Sequence, residues 1–205
     1  MIDLKLQLFG GRGSGGGKVE EGMSKPLDED MSEMWSEDPE LYQALSDPAR
    51  FEAKKNELLE DGWSQEEIDE FKGYADELRI KAESSMSGEA TLYRGERFSS
   101  LEAAEAKYYV GAEITTSQLT SYSTNKQMAS DYADYYGNNA PRVVISNTST
   151  TGNFVGIRTN HTGSGADEET IVPKGVTSKV VSTRLDRANN VLYVEMENSA
   201  KPRRK

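Results

Sequence analysis

The chain has 205 residues, a formal net charge of −11 and 35% hydrophobic content, which fits one domain with a modest core and some additional length. It contains no cysteine and a single histidine, His161, which excludes disulfides, thiolate nucleophiles, cysteine metal centres and His-based metal sites of ordinary ligand count. No apolar run approaches the roughly 20 residues of a membrane span, and the N-terminus lacks a basic region followed by an apolar core, so no membrane association and no secretion signal are expected.

Residues 1–36 read as a flexible tail. A short apolar patch, Leu4 to Phe9, runs into the Gly-rich stretch 10–17 and then into an acidic segment whose composition offers little to bury. Gly11, Gly13 and Gly16 satisfy a G-x-G-x-x-G pattern, but no amphipathic helix follows to complete a nucleotide-binding unit. From 37 to 88 the signals are helical. Asp38-Pro39 and Asp47-Pro48 each place an N-cap acid before a proline, and Ser64 with Glu67 makes a capping box. Behind that box, Ile68, Phe71, Ala75 and Leu78 recur on one helical face.

After Gly88 the pattern changes to strands and turns. Thr91-Leu92-Tyr93-Arg94 alternates ahead of Gly95, so Leu92 and Arg94 are expected on one side of a strand. Residues 99–109 suggest a helix and 119–123 a strand, after which Asn125 caps a helix carrying Met128, Ala129, Tyr132 and Tyr136 on one face. Further strands are expected at 142–146, 154–157, 170–172, 178–185 and 191–196, the last two joined by a hairpin loop at 186–190. Many short strands with few crossover helices favour a sandwich or partly open barrel over a doubly wound sheet. Residues 199–205 read as a basic, solubilising tail.

Charge is unevenly spread: residues 1–90 hold 10 Lys and Arg against 23 Asp and Glu, a net −13, and residues 91–205 hold 14 against 12, a net +2. The acidic first part disfavours nucleic acid as a partner, and the near-neutral second part accommodates an anionic small ligand. In that second part, residues 163–175 deliver three consecutive acids, Asp167, Glu168 and Glu169, onto the β-branched run Thr170-Ile171-Val172, closed by Pro173. Alternation puts Asp167 and Glu169 on one face of the strand and Glu168 on the other.

Three motifs in order, Tyr93-Arg94-Gly95, Ser121-Tyr122-Ser123-Thr124-Asn125-Lys126 and Asp167-Glu168-Glu169-Thr170-Ile171-Val172-Pro173, resemble the Arg, Ser-x-Ser and Glu-x-Glu motifs of the toxin-like mono-ADP-ribosyltransferases. The resemblance spans about residues 38–198. It implies an α+β fold in which an N-terminal helical segment packs on a mixed or antiparallel β-sandwich of the ADP-ribosyltransferase type. It also implies a domain division of 1–36 tail, 37–198 catalytic domain (37–88 helical, 89–198 β-rich and NAD-binding) and 199–205 tail.

The resemblance further implies NAD as substrate, with no metal, and a protein side chain as acceptor. Glu169 corresponds to the catalytic glutamate, Asp167 to the residue that engages the acceptor, Ser121 to the serine that orients the glutamate, and Arg94 to the NAD-binding arginine. Gly95 and Tyr93 belong to the same NAD-binding motif; Phe154 reads as a core residue, with a nicotinamide-side contact as the alternative that the resemblance implies. The serine register can also be centred on Ser123; Ser121 is favoured because Ser-x-Ser-x-Asn-Lys then aligns intact. Aspartate at 167 departs from the family's Glu or Gln, and as an acid it points to arginine as acceptor. These residue types suit the chemistry: an arginine fork binds pyrophosphate, and a fixed carboxylate stabilises the cationic sugar formed when the ribose–nicotinamide bond breaks.

The start of the chain, Leu6-Gln7-Leu8-Phe9 followed by Gly-Gly-Arg-Gly-Ser-Gly, resembles head-associated proteins of tailed phages and prophages. It implies a bacterial protein target, a bacterial cytoplasmic or virion location, and phage head proteins as further partners. The alternatives are an NAD glycohydrolase using the same site and a non-catalytic interaction protein that keeps the fold.

Overall fold

The computed structural model describes residues 24–134, 140–160 and 169–199. Four helices come first: α1 (Glu29–Glu37), α2 (Pro39–Ser46), α3 (Pro48–Glu60) and α4 (Gln65–Ser84). Their starts are set by local capping signals. Asp38 accepts from the Leu41 amide at 2.9 Å and Asp47 from the Ala49 amide at 3.1 Å, and Ser64 and Glu67 form a reciprocal capping box. Burial then joins the helices: Leu41, Tyr42, Leu45, Leu58, Ile68, Ala75 and Leu78 share one core with Leu119, Ile157 and Ile171 of the β part.

The boundary expected at residue 36 is corrected by α1. Leu27, Met31 and Trp35 are buried in that same core, and Asp28 caps the helix by accepting from the Met31 amide at 2.9 Å. The chain is already tied down at Ser24, whose amide donates to the Met86 carbonyl at 3.1 Å. The acidic composition of this stretch belongs to its outer face, and three apolar residues at a spacing of four supply the inner one.

The strands are β1 (Thr91–Arg97), β2 (Glu113–Thr115), β3 (Thr120–Ser123), β4 (Arg142–Ser149), β5 (Ile157–Arg158), β6 (Glu169–Val172), β7 (Thr177–Asp186) and β8 (Val191–Asn198). They hydrogen-bond in the order β2-β7-β8-β4-β1-β3-β6-β5, antiparallel except for the parallel β4–β8 pair. At one point the ladder almost parts: β1 and β3 share a single register pair, Tyr93 with Ser123. This divides the sheet into a five-stranded portion and the three-stranded β3-β6-β5 portion.

The two portions face each other. Tyr122 of β3 and Val172 of β6 pack with Leu92 of β1 and with Phe154, Val155 and Val176. The helical layer covers the opposite face of β3-β6-β5, through Ile157 and Ile171. On the five-stranded portion, α5 (Leu101–Lys107) packs Ala104 and the following Tyr108 against Val143, Ile145, Val180 and Leu192. The architecture is thus α+β, helices on a mostly antiparallel β-sandwich, as the motif resemblance implied. No described helix is long and apolar enough to cross a membrane.

Three local expectations differ from the structure. Helix α6 (Lys126–Asp134) buries Ala129 and Ala133, while Tyr132 is 68% exposed; Tyr136 lies outside the described residues. The helix lies so close to β1 that only alanine methyl groups fit between them. Only Ile157 of the expected 154–157 strand is in β5, because the Phe154 and Gly156 amides donate instead to the Glu89 and Ser85 carbonyls of the connector before β1. The edge strand β2, three residues long, is too short to show alternation.

Candidate active site

The site begins with the parting of β1 from β3. Had the antiparallel ladder continued past Tyr93–Ser123, the next pairs in register would be Arg94 with Tyr122 and Gly95 with Ser121. Instead the strands diverge, and the Arg94 guanidinium fills the wedge: its Nη1 donates to the freed Ser121 carbonyl at 2.6 Å. Arg94 Nε donates to Glu96 Oε1 at 3.2 Å, and the guanidinium lies 5.9 Å from the centre of the Tyr122 ring. Arg94 and Ser121, which belong to separate motifs, are therefore in direct contact, through a backbone oxygen rather than the serine hydroxyl.

Gly95 faces the other way. A Cβ built there would stand 1.9 Å from the Ala129 carbonyl oxygen and 2.9 Å from the Ala133 Cβ, so the glycine is what lets α6 lie directly on β1. Arg97 Nε, two residues on, donates to the Ala133 carbonyl at 2.9 Å and fastens the end of that helix. The bare position expected to admit a ligand is thus required first by packing.

Nothing in the sequence singles out Glu96, yet it organises the charge around Arg94. Its Oε2 accepts from Lys107 Nζ at 2.9 Å and from the Tyr108 hydroxyl at 2.8 Å. Burial opposes its ionisation, but the charges of Lys107 and Arg94 and the hydrogen bonds from Lys107 and Tyr108 hold its carboxyl below the usual range. Burial, followed by the Glu96 charge, pushes the Tyr108 phenol up. Arg94, Glu96, Lys107, Tyr122 and Asn147 contribute to the wall of a cavity of about 260 Å³ between the two sheet portions. Glu169 is not part of that wall.

Glu169 opens β6 on the far side of β3. Register pairs it directly with Ser123 and pairs Ser121 with Ile171. Residues directly opposite have Cβ atoms about 5 Å apart and diagonal neighbours about 7–8 Å apart, so Ser123, rather than the favoured Ser121, is the hydroxyl beside Glu169. Tyr93, paired with Ser123 from the other side, completes a row Tyr93–Ser123–Glu169 across three strands. Glu169 Oε1 accepts from the indole Nε1 of Trp35 at 3.0 Å. Trp35 falls within the stretch that composition assigns to the tail; the signal that finds it is its spacing of four from Met31.

Phe154 is a core residue, 1% exposed and packed among Leu92, Tyr122 and Val172. Asp167, Glu168 and His161 lie outside the described residues. Among the described residues, no group of three or more His, Cys, Asp or Glu side chains is arranged to hold a metal ion.

No protein-family model matches the chain, and no curated protein sequence matches it. Its structure is similar to that of Vis toxin, an ADP-ribosyltransferase from Vibrio splendidus, at 15% identity and a TM-score of 0.54 over 83% of this chain and 72% of that one. Vis has also been seen in complex with agmatine. It is similar as well to an ADP-ribosyltransferase from Clostridium botulinum (13% identity, TM-score 0.51, 87% of this chain and 89% of that one). The ATR domain of Salmonella SpvB matches to the same degree (13% identity, TM-score 0.51, 83% of this chain and 98% of that one). At such identities the likeness concerns the fold, and the fold of this chain is that of the ADP-ribosyltransferases.

Proposed function

We propose that the chain is a mono-ADP-ribosyltransferase that transfers ADP-ribose from NAD to a protein side chain, arginine favoured, with release of nicotinamide. The observation that carries this reading is the pair of neighbouring features on that fold: a wedge holding Arg94, Gly95 and Ser121, and the Ser123–Glu169 cross-strand pair one strand away. Both adjoin the short strand β3, and the reading requires a dinucleotide held at the wedge to extend its ribose past that strand to the carboxylate.

Each residue then has work to do. Arg94 uses Nε and Nη1 on Glu96 and Ser121, while Nη2, which forms no hydrogen bond among the described residues, is left for the anionic pyrophosphate. Tyr93–Ser123 is the single register pair that β1 and β3 share, and the peptide groups around Gly95, past that pair, suit a flat carboxamide. Breaking the ribose–nicotinamide bond develops positive charge on the sugar. Glu169 forms no salt bridge among the described residues, so no resident cation there competes with the sugar for its carboxylate. Ser123 restrains the carboxylate, and Asp167, by its motif position, orients the acceptor. Agmatine, bound by Vis, is a guanidino compound, which supports a guanidinium acceptor here. The N-terminal resemblance supports a bacterial cytoplasmic or virion setting, with phage head proteins as neighbours.

The test is incubation of the full chain with labelled NAD and bacterial lysate, followed by mass spectrometry, with Glu169→Gln in parallel. Wild type is expected to label protein through a hydroxylamine-sensitive linkage, and Glu169→Gln to lose at least about 100-fold in turnover with NAD binding kept. A hydroxylamine-resistant linkage overturns the arginine assignment, and free ADP-ribose without labelled protein makes the chain a glycohydrolase. Absence of NAD binding leaves the non-catalytic interaction protein.

A further inference from the structure

Helix α1 lies against the end of the β5–β6 pair where Glu169 stands, and it makes two polar contacts there. Ser32, fully buried, accepts from the Asn160 amide at 2.8 Å and donates to the Asp28 carbonyl at 2.8 Å. Trp35, 1% exposed, donates its indole N–H to Glu169 Oε1 at 3.0 Å. The two side chains are three residues apart and so share one face of the helix. The strand ends they hold are themselves joined, since the Thr159 amide donates to the Glu169 carbonyl at 3.0 Å. One helical face therefore secures both Asn160 and Glu169.

Packing alone does not account for tryptophan at 35. Phenylalanine or leucine would fill the same core, but the Glu169 oxygen would then lose the donor the indole supplies, and a hydrogen bond to an ionised group is among the stronger ones. The indole is suited to this place in two ways: it has one N–H, so it fixes one oxygen in one direction, and it is neutral, so the carboxylate keeps its charge. Lysine at this position would satisfy the oxygen as well and would cancel the charge that a developing sugar cation needs.

We propose that Trp35 is a positioning residue for Glu169: its indole holds Oε1 so that Oε2 is presented toward the row formed by Ser123 and Tyr93. The inference rests on the reading of Glu169 as the catalytic glutamate. Its consequence is that the helical layer sets the rotamer on which turnover depends, while substrate affinity resides on the sheet.

The experiment uses the full chain and three variants, Trp35→Phe, Glu169→Gln and Glu169→Ala, with kcat and KM for NAD measured for each active protein. Trp35→Phe is expected to lower kcat by about 10- to 100-fold, the range for losing a hydrogen bond to a charged group, with KM for NAD within about twofold of wild type. The chain has two tryptophans, so indole N–H resonances provide an internal control. Glu169→Ala should shift the Trp35 resonance and leave that of Trp63, which packs edge-on to Phe71 in the helical layer, in place. If Trp35→Phe does not fold, a benzothiophene isostere of tryptophan at position 35, with sulfur replacing the N–H, keeps the packing and removes only the donor. Unchanged kcat in either variant, or a Trp35 resonance indifferent to Glu169→Ala, overturns the proposal while an inactive Glu169→Gln still upholds the site. Wild-type turnover in Glu169→Gln removes the site itself and the proposal with it.

Discussion

Arg94 and Glu169 flank the same four-residue strand, β3, and are held in opposite ways. Arg94 belongs to a cluster of compensating charges, bonded to Glu96, which is bonded in turn to Lys107 and Tyr108. Among the described residues, the Glu169 carboxylate has one donor, the neutral Trp35 indole, and forms no salt bridge. A binding cation gains from a partner that fixes its fork and shares its charge without emptying it. A carboxylate meant to face a transient cation gains from being left uncompensated, because any resident cation would compete in the ground state. Under the proposed function, the wedge side does the holding and the β6 side the reacting.

The strongest way to break that division is at Gly95. With the Ala129 carbonyl oxygen 1.9 Å from any added Cβ, Gly95→Ala forces α6 off β1, and backbone cannot give way as a flexible side chain would. The expected cost is about 3 kcal/mol or more in denaturant unfolding, toward the upper end for overpacking a tight contact. Because α6 and the Arg94 wedge share β1, KM for NAD should rise steeply. The Trp35–Glu169 contact lies beyond β3, so its indole resonance should persist in whatever fraction folds. A Gly95→Ala protein of wild-type stability would mean that α6 does not lie on β1 as described.

A smaller effect sharpens the reacting side. Ser123→Ala should lower kcat about 10-fold through loss of a hydroxyl beside a charged group, and Ser121→Ala, on the diagonal, should do so by no more than about twofold. Steady-state rates for the two variants decide between them. The reverse order would show that the motif alignment, which favours Ser121, outweighs cross-strand register.

That contest illustrates how far the sequence could be read. Helix starts were legible because their causes are local: Asp38, Asp47 and Ser64 cap residues two or three positions away. The strands expected at 142–146, 178–185 and 191–196 were legible from their β-branched runs and extend in the structure to 142–149, 177–186 and 191–198. The candidate site was named from residue types in order, and the structure places Arg94 against the Ser121 carbonyl and Glu169 opposite Ser123. What was not legible came from contacts distant in sequence. Trp35 meets Glu169 across 134 residues, and the acidic neighbourhood of Trp35 concealed the helix. Ser121 and Ser123 are equivalent until β6 pairs with β3, and Gly95 looks like a ligand-admitting glycine until α6 is placed over it. Phe154 carries no signal that separates a ring in the core from one on a ligand.

The mildest perturbation tests the holding side through pH. The Glu96 carboxyl lies below its ordinary value of 4.5 in the folded chain, where Lys107 and Arg94 outweigh burial. A carboxyl depressed on folding contributes stability that is fully present above its unfolded pKa and is lost as pH falls through the folded one. Glu96→Gln should therefore destabilise the chain by about 1 kcal/mol near pH 7, a magnitude between exposed and buried ion pairs. The gap between wild type and variant should narrow only below pH 4.5, as wild type loses the same charge. Thermal unfolding across that range reads it directly. A constant gap down to acid pH would mean that the Glu96 side chain contributes hydrogen bonds and packing but no charge, and Arg94 would then be held by the Ser121 carbonyl rather than by its acidic neighbour.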